Sequence, residues 1–95
     1  MRAYRLPAVV DLDNLMSILA EGETCIDEQH EPVFDLADLK SASFAVLAVL
    51  VGWFRYAHGR GKVVRFIHVS PRLMNIVDVA ELRDLLPIEA RDIPG

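Results

Sequence analysis

Asp35 and Asp38 stand three residues apart, a spacing at which two carboxylates could divide general acid–base work. No third titratable group accompanies them along the chain, so the pair alone assembles no catalytic site. His30, His58 and His68 are scattered, and no two have the spacing of metal ligands. Surface or packing roles are expected for all three. Cys25, the single cysteine, lies among Glu21, Glu23, Asp27 and Glu28, company that raises a thiol pKa and blunts the nucleophile. Gly59-Arg60-Gly61-Lys62 has the outline of a phosphate loop. It lacks the earlier glycine, however, and Val63 stands where Ser or Thr is required. A helix-to-strand turn is the first expectation there, and a small anion site at the turn is the alternative. No catalytic residue, metal ligand or cofactor is expected.

The elements that carry these residues can be read from periodicity and caps. Tyr4 to Val10 reads as a strand, with Pro7 marking an edge or a bulge. Asp11 or Asp13 can cap a short helix with apolar positions Leu12, Leu15, Ile18 and Leu19, ended by Gly22. Thr24 to Glu31 is polar and reads as a loop, and Val33 to Leu36 as a second strand. A long helix is expected from Ser41–Ser43 to about Ala57, with Ser41 or Ser43 as its N-cap. Lys62 to Val69 reads as a third strand. Ser70-Pro71 is a strong helix start, because proline at the first helical position lacks only an N–H that had no partner. Leu73, Ile76, Val77 and Ala80 form that helix's inward stripe. Leu82, Leu85 and Leu86 make a last turn or short helix, and the tail after Pro87 is expected to fray. Strands alternating with helices imply an α/β fold, with a mostly parallel or mixed sheet covered by helices on at least one face.

Composition bounds the rest. The 95 residues are 53% hydrophobic and 25% charged, enough for one packed core and too apolar for disorder. A single domain over residues 1–95 is expected, with its core at about 4–86. The longest apolar run, from Phe44 to Phe54, is 11 residues, where a membrane span needs about 20. Residues 1–40 hold three basic and nine acidic side chains, and residues 41–95 seven and five. These are either two solvated faces or a field that steers a charged partner. The net charge of −4 argues against nucleic acid as the partner.

The helix from Ser41 carries the functional signal. Val46, Leu47, Leu50, Phe54 and Ala57 fall on one face and should meet the sheet. The opposite face holds Ala45, Val49, Gly52 and Tyr56, with Ala48 beside it, and carries no charge before Arg55. A solvated face should be charged. Either the helix is central in the fold, or this smooth face meets another protein; the second is the expectation.

The segment Pro32-Val33-Phe34-Asp35-Leu36, followed by Leu39-Lys40-Ser41-Ala42-Ser43 and the apolar helix, resembles the STAS domain family. Gly61-Lys62-Val63-Val64-Arg65-Phe66 and Val69-Ser70-Pro71-Arg72-Leu73 are similar to the family's next strand and its turn into the third helix. The resemblance covers about residues 5 to 86 and is nearest to the MlaB type. It implies a non-enzymatic domain in a cytoplasmic setting, peripheral to the inner membrane through a complex. MlaB-type members bind the ATPase subunit, MlaF, of the Mla ABC transporter. That complex, with permease and lipid-binding subunits, moves phospholipid in Gram-negative bacteria and maintains outer-membrane lipid asymmetry. The partner surface implied is Ser41, Ala42 and Ser43, continuing along Ala45, Ala48, Val49, Gly52 and Tyr56. The alternative implied is an anti-sigma factor antagonist switched by phosphorylation of Ser41. Lys40 stands where the family usually has Asp and Ser43 where it has Gly, departures that suit an MlaB-like role better than a kinase substrate.

Overall fold

The structure is a computed structural model that describes residues 3–40 and 42–90, the last two by their backbone. Its elements run β1 (Ala3–Arg5), α1 (Leu15–Glu28), β2 (Val33–Asp35), α2 (Phe44–His58), β3 (Arg65–Val69), α3 (Pro71–Val79) and β4 (Ile88–Ala90). The strands form one sheet in the order β1-β2-β3-β4, every neighbouring pair parallel. The sheet is therefore parallel where a mixed one was also open. Crossovers between sequential parallel strands share one hand as a rule and so carry the helices to a single face, and the side chains agree. Tyr4, Phe34, Phe66 and Ile88 stand in register across the four strands, with Phe34 and Phe66 fully buried. On the other face Ala3, Arg5 and Arg65 are exposed.

Trp53 of α2 is the centre of the core. Its indole stacks on Phe34, with centroids 4.2 Å apart, and meets Tyr4 edge-on at 5.6 Å. Its Nε1 donates to the Leu19 carbonyl of α1 at 3.1 Å, so its one polar atom is satisfied.

Local signals located two helix starts well. The Ser43 hydroxyl accepts from Val46 N and the Ser70 hydroxyl from Leu73 N. Other expectations need correction: α1 has Asn14 rather than Asp11 or Asp13 at its N-cap, and β3 begins at Arg65 rather than Lys62. The first strand closes at Arg5; Leu6 N still reaches Asp35 O, but Pro7 has no N–H to continue the ladder. Gly22 does not end α1, which runs on to Glu28 through the segment expected to be a loop. Its buried stripe of Ile18, Gly22, Cys25 and Ile26 continues past the glycine, while Thr24, Asp27 and Glu28 stay in solvent. Leu12 is not on this helix; it lies in the preceding turn, 86% exposed. Finally, Ile88 to Ala90 pair with β3 instead of fraying; the tail from 91 onward falls outside the described residues.

Candidate functional site

In a parallel sheet the loops after the strands and the starts of the helices gather at one edge, where α/β proteins place their sites. The loop from Leu36 to Ser43 is built there from short-range contacts. Asp35, at the end of β2, accepts from Ala37 N through Oδ1 at 2.9 Å. The same oxygen lies 2.8 Å from His68 Nδ1 on β3. Asp38 pairs with Arg5 of β1 at 2.9 Å, and Lys40 N donates to Ala8 O at 2.9 Å. The two aspartates expected to lack any third group thus each have a partner, His68 for Asp35 and Arg5 for Asp38. His68 adopts φ +59 beside a register shift between β3 and β4, unusual for a residue with a side chain.

Partial burial pushes the Asp35 carboxyl up. The hydrogen bonds from His68 and Ala37 and the nearby His68 and Arg5 charges outweigh it and hold the group below the ordinary carboxylate value. A depressed folded-state pKa stabilises the fold fully above the unfolded value of about 3.9, and the contribution is lost as pH falls through the folded value. Asp35→Asn should therefore be less stable than wild type at pH 7, with the gap narrowing between about pH 5 and pH 3. Urea unfolding of both proteins across that range checks this; parallel profiles would remove Asp35 as the acid-sensitive group.

Along α2 the structure separates the expected partner face into two parts. Ser41 lies outside the described residues. Ala42 and Ser43 are half-buried at the helix start, and Ala48 is exposed. Phe44, which sequence reading did not single out, is 65% exposed beside them. Val49, in contrast, is fully buried. A Cβ on Gly52 would lie 3.1 Å from Leu19 Cδ2 of α1. The Tyr56 hydroxyl donates to Asp27 Oδ2 of α1 at 2.8 Å. The face carrying Val49, Gly52 and Tyr56 is thus turned toward α1 of the same chain. Val49 is core, and Gly52 and Tyr56 are half-buried along the seam with α1.

The C-terminal ends of the two helices are tied together. Arg60 donates to Asp27 Oδ1 at 2.8 Å and lies over the Tyr56 ring at 3.4 Å. Lys62 Nζ donates to the carbonyls of Ile26 and Asp27 at the end of α1, where a cation suits the helix dipole. The hydrogen bond from Tyr56, reinforced by Arg60 and Lys62, holds the Asp27 carboxyl below its ordinary value against partial desolvation. Both cations of the Gly59–Lys62 turn are therefore engaged by α1 rather than converging on an anion site. Some of the acidic side chains of residues 1–40 and some of the basic ones of residues 41–95 thus pair within the chain, at its surface.

A parallel sheet covered on one face, with a serine-capped helix start beside the strand ends, defines a small α/β domain of the STAS type. The family model described as "Mlab, STAS domain" matches residues 5–87, and the chain belongs to the STAS domain family. A crystal structure of a Thermotoga maritima protein described as an anti-sigma factor antagonist superposes with a TM-score of 0.71. Identity is 11%, over 95% of this chain and 74% of that one, so the likeness is one of fold. No curated protein matches the chain at a significant level. Among the described residues no helix is long and apolar enough to cross a membrane.

Proposed function

We propose that this protein is a non-enzymatic accessory subunit that binds the MlaF-like ATPase of an Mla-type phospholipid ABC transporter. Within that complex, alongside permease and lipid-binding subunits, it serves outer-membrane lipid asymmetry from the cytoplasmic side. The observation that carries this is the match of residues 5–87 to a family model whose description names Mlab. The exposed apolar start of α2 supports it. The contact we propose keeps Ser41, Ala42, Ser43 and Ala48 of the expected face and adds the exposed Phe44. A second reading, an anti-sigma factor antagonist switched by phosphate on Ser41, draws on the fold likeness to the Thermotoga protein. A phosphate would add about −1.5 to −2 charges near the α2 N-terminus, where the helix dipole stabilises it.

Co-expression with the ATPase subunit from the same genome separates the two. The transporter reading expects stable co-purification and a higher ATPase rate in the reconstituted complex. Retention of a serine kinase or an anti-sigma factor, with no ATPase subunit bound, would establish the second reading in its place.

A further inference from the structure

Leu12 is the most exposed large apolar side chain of the described structure, at 86%, with Val9 at 52% and Met16 at 73% around it. This turn is held in place. Asp11 Oδ1 accepts from Asp13 N at 2.9 Å and from Asn14 N at 3.2 Å. Asn14 Oδ1 accepts from Asp11 N at 2.9 Å, and Asn14 Nδ2 donates to Val9 O at 2.8 Å. One step back along the chain, Ala8 O accepts from Lys40 N at 2.9 Å. That bond joins the Leu12 turn to the loop leading to Ser43 and Phe44. A fixed apolar projection loses little conformational freedom when it is buried by a partner.

We propose that Val9, Leu12 and Met16 form a preorganised apolar knob that enters a cleft on the ATPase subunit, apolar at its floor and basic at its rim. This rests on the function proposed above and extends its contact surface from α2 across to the start of α1. Charge decides the partner's chemistry. Asp11 and Asp13 flank Leu12 and both are exposed, Asp11 while its Oδ1 also accepts from the backbone of the turn. A basic rim would pair with the two flanking carboxylates as Leu12 is buried. An anionic bilayer would repel them, and a second copy would bring two acidic turns together.

The test measures affinity of the intact protein for the ATPase subunit, together with thermal melting. Leu12→Ala is expected to weaken binding about tenfold and Leu12→Asp about 30-fold or more, with melting unchanged because the side chain is in solvent. Asp13→Lys should weaken binding and flatten its dependence on salt. If wild type binds and Leu12→Asp binds within threefold of it, the knob is refuted while the ATPase role stands. A wild-type dimer that Leu12→Asp converts to monomer, or Leu12-dependent pelleting with phosphatidylglycerol vesicles, would also overturn the inference. A wild-type protein with no affinity for the ATPase subunit removes the proposed function and the knob together.

Discussion

Gly22→Ala is expected to destabilise the protein by about 2–3 kcal/mol, lowering the melting temperature by about 10–20 °C. A Cβ on Gly22 would overlap the Cε2, Nε1 and Cζ2 atoms of Trp53. These belong to a rigid ring that cannot retreat, because Phe34 stacks on it and Tyr4 meets it edge-on. Moving the ring would also strain the bond from Nε1 to Leu19 O. Against this, alanine gains only about 1 kcal/mol of helix propensity over glycine. Gly52→Ala is the matched control. Its Cβ would meet only Leu19 Cδ2, at 3.1 Å, the free end of a flexible side chain. There the propensity gain offsets the tight contact, and stability should stay within about 1 kcal/mol of wild type. Thermal and urea unfolding of the two variants checks the pair; equal effects would mean that Trp53 does not lock the α1–α2 contact.

These two glycines also show where sequence reading stops. Glycine ends helices and also permits close approach, and nothing local separates the two uses at Gly22. The deciding partner, Trp53, is on another helix. The absence of charge before Arg55 made the face of Val49, Gly52 and Tyr56 read as a contact with another protein, and α1 meets that face instead. A helix of 14 residues spans about 21 Å, enough to lie along that face. The partner that decides such a face is distant in sequence. The same holds for Asp35: its His68 partner approaches from β3 through a positive φ that no local signal announces. The cap at Ser70 was legible, and that of α2 was narrowed to Ser41 or Ser43 before the structure selected Ser43, because a cap is a contact across three residues. The order of strands, loop and helix, and with it the STAS resemblance, was legible for the same reason.

Phe44→Glu is expected to leave the fold intact and weaken binding of the ATPase subunit by about 2 kcal/mol or more, roughly 30-fold. Phe44 is the first residue of α2, directly after the Ser43 cap, and is 65% exposed. Removing its ring from water-facing surface costs the monomer little. A carboxylate in the first helical turn is favourable, by about 0.3–1 kcal/mol, because it faces the positive end of the helix dipole. α2 has no acidic residue in that turn, so nothing local repels the new charge. Stability should therefore hold or rise slightly. At the proposed contact the balance reverses, since the apolar anchor is lost and a charge is buried without a partner. Opposite signs for melting and binding are what distinguish an interface residue from a core residue. Phe44→Leu supplies the calibration, keeping an apolar side chain and most of the affinity. If Phe44→Glu binds as tightly as wild type while the complex still forms, the start of α2 is not the contact, and the ATPase subunit must reach the domain by another face.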